Sequence, residues 1–600
     1  MKRLLAIILA SLMLVTVLAG CSSSEDEDKK EIKGAEIQAF ITTLPESLDP
    51  AATYTTADTV RVMGLIYEGL TTLDEKGNLE KALAKDWEYE IDDRDNLLKL
   101  DISLVNSRWS DGIIVDADDF IYAWSRILLP ESKNSNASLL YPILNAQKVK
   151  EGLCSVNDLG VYAITDKTLQ IVFEPSFAGE EHSKKEIKKN VEEFMRRLSS
   201  PALVPLREDV VSKSADWCIP GAASYVTNGQ FKIKAWNTGE LSFERSVYYR
   251  CVSDSDGNAD DKIVKPYRII TLYTEGKHAD EHLERYQNKQ NFFLNLSSAS
   301  TETVSALKKK DIDTQELIST QTLMLDNTNE LFASADARRA LSLALDRNAI
   351  AKSMSIESAP ATGLVPHGVE DVKKGSDFRK SGKNLISSSA NVDEAKKLLK
   401  DAGLTGKIVT IEYSNTRPND ETLAKACKAA WEAIGLKVSI TSRPQKYINN
   451  KVWGVYPLNQ NNEALNAASI VIFDYQCVTP NAMSMLLPFS AKFGGNVIDV
   501  TTGPSAEDVV YNGHVTGYFS EEYDAIIEKA VYADNNADRL AALHEAEQYI
   551  INDMPVIPVL FNTASFASHE LSNMETDFYG RYVFTELKQK NFEKYLPEED

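Results

Sequence analysis

The chain has 600 residues, 43% hydrophobic and 26% charged, with a formal net charge of −23. That length exceeds what one hydrophobic core organises and implies about two to four structural units of ordinary soluble composition. So acidic a chain is repelled by nucleic acid and by anionic lipid, which argues against both as partners.

The first element is a leader. Lys2 and Arg3 precede an apolar run from Leu4 to Leu18, then Leu18-Ala19-Gly20-Cys21, then the polar tract Ser22 to Lys30. The run is short for a membrane span and small residues close it, as in a cleaved export signal. Leu-Ala-Gly-Cys resembles a bacterial lipobox, which implies a signal peptide over residues 1–20 and lipidation of Cys21. Residues 21–34 have nothing to bury and are expected to be a flexible stalk. The other cysteines, Cys154, Cys218, Cys251, Cys427 and Cys477, form no C-x-x-C pair. Mostly buried thiols are expected, with one bridge possible in an oxidising compartment and a Cys427–Cys477 pairing left open.

Further along, Ile113 to Leu129 reads as a helix: Asp116 can cap it, Asp119 follows three residues later, and Phe120, Trp124, Ile127 and Leu128 supply an apolar face. The charged stretch Gly179 to Arg197 reads as a solvated helix. Tyr225-Val226-Thr227, Asn228-Gly229 and Gln230 to Ile233 read as two strands joined by a tight turn. His278-Ala279-Asp280-Glu281-His282 fits the H-x-x-E-H zinc pattern. Its flanks are polar nearly all round and no third ligand is evident, so a solvated charged helix is the expectation and no metal is assigned.

From residue 391 the pattern becomes α/β. Asn391 with Glu394 makes a capping pair for a helix ending at Gly403, and Ile408 to Tyr413 alternates like a strand. Asp420 to Ile434 is helical with Gly435 as its stop, and Leu436 to Ile440 returns as a strand, so a parallel pair is expected. Ile470 to Phe473 is a short, wholly apolar run ending at Asp474-Tyr475. A carboxylate just beyond a buried strand sits where open α/β sheets bind ligands, and a ligand ammonium can supply the cation it needs. Equally, a strand-ending Asp can hydrogen-bond its own turn.

Several stretches together resemble extracytoplasmic solute-binding protein family 5, the oligopeptide-binding lipoproteins of ABC importers. They are Leu48-Asp49-Pro50-Ala51, Ile66-Tyr67-Glu68-Gly69-Leu70, Ala82 to Trp87, Trp109-Ser110-Asp111-Gly112 with Ala117 to Phe120 and Tyr122 to Arg126, Asp166 to Leu169, Asn228-Gly229, Ala337 to Leu341 with Ala344 to Arg347, and Asp553 to Pro558. Each is weak alone; the family order makes the match.

The resemblance implies an α/β fold, a periplasmic-binding-protein-like type II clamp of three domains whose two ligand-binding lobes close about a hinge. Domain I would comprise 35–65, 205–285 and 555–600; domain II the insertion 66–204; domain III 286–554. In peptide-binding relatives an Asp-Tyr after an apolar strand holds the peptide ammonium, and Asp474-Tyr475 occupies that place, with Ile472 ahead of it. Tyr122 matches a tyrosine of the cleft, Tyr54 and Thr56 fall in the edge that domain I lends, and Phe561 matches a pocket aromatic. The sequence departs from the family where a Gly-Trp is usual, having Val471-Ile472-Phe473, and its next proline is Pro480, six residues after Asp474. The implied protein is a lipid-anchored monomer on the outer face of the membrane that binds oligopeptides for an ABC permease, with no catalysis and no cofactor. Alternatives are a nickel chelate, haem, a glycan or a signalling peptide as ligand, and an exported metallopeptidase. No G-x-S-x-G elbow or P-loop supports other chemistry.

Overall fold

The computed structural model describes residues 34–40, 44–45, 47–51, 57–92, 97–132, 134–178, 183–221, 225–250, 263–273, 278–297, 299–356, 358–452, 468–494, 517–533 and 535–595. The expected signal peptide, the expected lipidation site Cys21, and Tyr54, Thr56 and Cys251 lie outside the described residues. Residues Ala35–Asp600 make up one unit.

Strand β1 (Glu36–Phe40) and helix α1 (Ala57–Ile66) come first. Strands β2 (Ala84–Ile91), β3 (Leu98–Leu104), β4 (Val161–Thr165) and β5 (Thr168–Val172) form an antiparallel sheet in the order β2-β3-β5-β4. Helix α2 (Ala117–Leu128) lies between β3 and β4 in the chain and carries the reciprocal cap expected of it. The Asp116 carboxylate accepts the Asp119 amide at 3.2 Å, and Asp119 accepts the Asp116 amide at 3.1 Å. Phe120, Trp124, Ile127 and Leu128 are buried.

Helix α3 (Lys184–Arg197) corrects one expectation. Ile187, Val191, Phe194 and Met195 recur at helical spacing and are all buried, so the helix is amphipathic rather than solvated. The hairpin expected about Asn228-Gly229 is also absent. Asn228 instead clamps Glu68, its amide donating to the Glu68 carbonyl at 2.8 Å and its oxygen accepting the Glu68 N–H at 3.2 Å. A Cβ at Gly229 would lie 2.5 Å from the Ile66 carbonyl carbon, so this glycine serves close approach to the end of α1. The hairpin lies one step later, between β6 (Phe231–Trp236) and β7 (Glu240–Arg245).

Strand β8 (Arg268–Leu272), helix α4 (His278–Gln287) and strand β9 (Phe293–Asn295) follow. Helix α4 is not solvated all round: Ala279, His282 and Tyr286 are buried, and His282 stacks on Phe40 with ring centroids 5.2 Å apart. Next come the long β10 (Ile312–Leu325), the short β11 (Ala359–Pro360) and α5 (Val392–Asp401). Asn391 caps α5 by accepting the Glu394 amide at 3.2 Å, as its pairing predicts. Strand β12 (Ile408–Ser414), helix α6 (Pro418–Ala433) and strand β13 (Lys437–Arg443) form the expected unit, with β12 and β13 parallel from Ile408↔Lys437 to Ser414↔Arg443. Strand β14 (Ala468–Gln476), helix α7 (Asn536–Asp553) and the long β15 (Val556–Ser568) complete the frame. One mixed sheet runs β13-β12-β14-β10-β15-β9-β1-β8-β7-β6, with β11 on β15.

This sheet carries two hydrophobic cores. The first gathers Ile37, Phe120, Trp124, Phe194, Phe243 and Leu294; the second gathers Leu323, Leu341, Ile411, Trp431, Ile472 and Ile550. Tyr286 to Ala299, which the resemblance assigns to domain III, pack in the first core, and Val556 to Leu560 of the expected domain I pack in the second. The polar face of α3 reaches across: Arg196 pairs with Glu370 at 2.5 Å, both largely buried, and Glu193 with Arg539 at 3.7 Å. Cys154, Cys218, Cys427 and Cys477 are all free thiols, so Cys427 and Cys477 are not bridged. Among the described residues no helix is long and apolar enough to cross a membrane.

Candidate functional site

Strands β10 and β15 pass from one core to the other, pairing antiparallel from Ile312↔Ala567 to Met324↔Val556. Their ladder breaks midway. Between Glu316↔Thr563 and Thr320↔Phe561, the stretch Leu317 to Ser319 faces Asn562 alone, and the register shifts again between Gln321↔Leu560 and Thr322↔Pro558. Such bulges bend a strand and re-aim its side chains. Pro558, which has no N–H to donate, is tolerated in a central strand because it sits at the second irregularity.

The first break turns Asn562 toward β14. Its Nδ2 donates to Asp474 Oδ1 at 2.5 Å and to Ser319 Oγ at 3.0 Å. Asp474 is 5% exposed and lies directly across the β10–β14 ladder from Gln321, which is 6% exposed. Asp474 therefore sits inside its strand, two residues before the end of β14, and not beyond it as its place after the apolar run suggests. Backbone pairing to β10 carries the strand past the charge.

A second carboxylate belongs to this cluster. Arg417 precedes Pro418, the first residue of α6, and a residue before proline is held in extended backbone, which aims it away from the helix. Its guanidinium lies 3.5 Å from Asp474 Oδ2 and 3.4 Å from Asp420 Oδ1, and donates to Gln321 Oε1 at 3.1 Å. Burial pushes the Asp420 carboxyl up to about 6; Arg417 opposes the shift and Asp474 adds to it. One guanidinium thus serves two buried carboxylates. Two polar atoms of the same strands, Gln321 Nε2 and Gln476 Oε1, are buried without a partner.

The other expected site residues fall in different places. Tyr475 projects to the opposite face of β14, as alternation requires. There it donates its hydroxyl to the Met485 carbonyl at 2.8 Å and packs edge-on against Phe489 at 5.8 Å. Burial holds its phenol well above the ordinary range, and the side chain takes no part in the Asp474 cluster. Ile472 is 1% exposed within the second core, opposite Leu323. Phe561 adjoins Asn562, is buried, and meets His367 edge-on at 5.7 Å. Tyr122 is half-buried on α2, one turn before Arg126, whose two-pronged pair with the buried Asp49 includes a bond of 2.9 Å. Tyr122 joins none of the bonds of the Asp474 cluster. Asn562, Gln321, Ser319, Arg417 and Asp420 were not among the expected site residues; the run of four polar residues Ser319 to Thr322 between apolar Leu317-Ile318 and Leu323-Met324-Leu325 was the available signal.

Among the described residues no group of three or more His, Cys, Asp or Glu side chains is placed to hold a metal ion. In the H-x-x-E-H stretch, Glu281 is exposed while His282 is buried against Phe40. Nothing in the Asp474 cluster provides a nucleophile with an adjacent base. Its chemistry is that of a buried acidic cluster, two carboxylates against one guanidinium, suited to holding a cation.

Residues 78–496 match the family described as bacterial extracellular solute-binding proteins, family 5 Middle. The oligopeptide-binding protein OppA of Bacillus subtilis is 26% identical over 597 residues, covering 95% of this chain and 96% of its own. The dipeptide-binding protein DppE of the same organism is 26% identical over 571 residues, covering 92% of each. The substrate-binding domain of an oligopeptide ABC transporter from Bacillus anthracis shares the fold, with a TM-score of 0.74 over 93% of this chain and 99% of that one at 21% identity. With well over half its length in that match and the clamp fold throughout, this chain belongs to family 5 of the bacterial extracellular solute-binding proteins, a family of binding proteins and not of enzymes.

Proposed function

We propose that this protein is a lipid-anchored receptor that captures oligopeptides outside the cell between its two lobes and delivers them to the permease of an ABC importer. The observation that carries this reading is the Asp474 cluster: two buried carboxylates, Asp474 and Asp420, share the guanidinium of Arg417 beside the point where β10 and β15 cross between the cores. A peptide ammonium entering there meets the two carboxylates, and burial in the closed clamp strengthens the pair. The peptide backbone would lie along the polar strand edges, so that affinity comes from groups every peptide has. Lobe closure would bend the β10–β15 crossing, where the broken ladder leaves few bonds to distort. The Leu18-Ala19-Gly20-Cys21 tetrapeptide supports the tether at Cys21, and the monomeric state is part of the same reading. Mass spectrometry of small molecules released by denaturing the mature protein, purified from a peptide-rich cytoplasm, tests it. Mixed short peptides of narrow length range are the expected result; one defined non-peptide compound, or an empty protein, would overturn it.

A further inference from the structure

At the Asp474 cluster the Gln321 amide is half used. Its Oε1 accepts Arg417 Nη2 at 3.1 Å, which settles the orientation of the amide, since a guanidinium can only donate. Its Nε2 is buried with no acceptor, in a side chain only 6% exposed. A buried donor without a partner costs stability, and such groups in folded proteins call for an explanation. Gln321 belongs to the acidic cluster, because it is the residue directly opposite Asp474 and shares Arg417 with it. A second buried polar atom without a partner, Gln476 Oε1, lies two residues along β14, so this sheet face is short of partners on both sides of the ladder.

A molecule whose ammonium pairs with Asp474 brings a polar group to this donor at a fixed remove. In any α-amino acid joined through its carboxyl, the carbonyl oxygen is separated from the ammonium nitrogen by two carbons. We propose that Gln321 is a specificity-determining residue that donates Nε2–H to the carbonyl of the ligand's first residue, so that the site selects an α-ammonium followed by a carbonyl over other cations. Arg417 is the positioning residue, holding Oε1 so that Nε2 is left for the ligand. The inference rests on the peptide-receptor reading above and adds to it how a simple amine, a polyamine or another cation of equal charge is rejected.

The test is a binding cycle by calorimetry. The probes are one free-amine tripeptide recovered from the protein by the mass-spectrometric experiment and its analogue with the first peptide bond replaced by a trans-alkene, which keeps the ammonium and the shape but lacks the carbonyl. The proteins are the wild type and Gln321→Glu, which keeps an acceptor for Arg417 and loses the donor. The alkene should bind the wild type about 10- to 100-fold more weakly than the peptide. Gln321→Glu should weaken the peptide by a comparable factor and change the alkene's affinity much less, and Gln321→Met, which adds no charge, should repeat the pattern. Thermal unfolding of each variant separates loss of fold from loss of contact. Equal effects on peptide and alkene in both variants would overturn the role of Gln321 and leave the receptor reading standing. Recovery of no peptide at all would overturn both.

Discussion

Two buried carboxylates of the second lobe, Glu547 and Asp474, are built in opposite ways. Glu547 is 0% exposed and accepts four donors: the amides of Leu364 and Val365, each at 2.9 Å, and both guanidinium nitrogens of Arg379, one of them at 2.9 Å. The neighbouring backbone is cut to fit, since a Cβ at Gly363 would lie 1.5 Å from Arg379 Nη1. Asp474 has the single amide of Asn562 and a guanidinium 3.5 Å away that it shares with Asp420, and a neighbouring amide donor is left over. Burying a charge is tolerated when its own oxygens are well supplied with donors, as those of Glu547 are, although Arg379 Nε there is itself buried without a partner. Asp474 has fewer donors than Glu547, and that difference is what the proposed ligand ammonium would make up.

The largest expected effect tests the complete cluster. Glu547→Ala strands Arg379 in the core and should cost about 3 to 5 kcal/mol of stability, read by urea unfolding. The surviving folded fraction should keep the wild-type preference between free and N-acetylated peptides. A change in that preference would make Glu547 part of the site and erase the contrast.

Asp474→Asn should weaken free-amine peptides by about 2 to 5 kcal/mol while leaving N-acetylated peptides comparatively insensitive. Equal loss for both ligands would remove the amine-anchor role.

Asp420 sharpens the comparison through pH. Its carboxyl stands at about 6 in the folded chain against an ordinary 3.8, because burial and the nearby Asp474 outweigh Arg417. The folded state therefore holds this proton more tightly than the unfolded one. Stability from this group is full below about pH 4 and is lost as pH rises to about 6, a penalty of about 2 to 3 kcal/mol that then stays constant. The stability of Asp420→Asn relative to wild type should accordingly rise between pH 4 and 6 and level off above, as measured by urea titrations at each pH. A flat difference would mean that burial and Asp474 do not raise the Asp420 carboxyl.

The smallest effect is expected at the rim between the lobes. Glu193 and Arg539 are 3.7 Å apart and partly exposed, so Glu193→Gln should shift stability by less than about 1 kcal/mol. A larger shift would mean that this pair holds the lobes together.

Much of the second lobe was legible because its signals are local. The Asn391 cap of α5, the β12-α6-β13 unit between Ile408 and Arg443 and the Gly435 stop, with its φ of +110°, all follow from spacing between residues near one another in the chain. The Asp116 cap of α2 was legible for the same reason. The errors share a cause too. Asn228-Gly229 has the composition of a hairpin turn, but its partner is Glu68 on a distant segment, and that contact takes both ends of the amide. Helix α3 looks solvated by net charge, yet four apolar residues at the right spacing bury it. At the site, Asp474 was legible from its abrupt place after an apolar run; its surroundings were not.

The sequence by itself determined the local elements, the family order of motifs and the identity of one buried acid, because each depends on spacing along the chain. Tertiary structure alone decided which groups stand around that acid. Asn562 reaches Asp474 because the β10–β15 ladder slips at their crossing, and Gln321 faces it through an antiparallel register set more than 150 residues apart in sequence. Arg417 arrives from the start of a helix that follows another strand. Register and crossing are products of long-range pairing, and a one-residue slip would turn each of these side chains to the other face of the sheet.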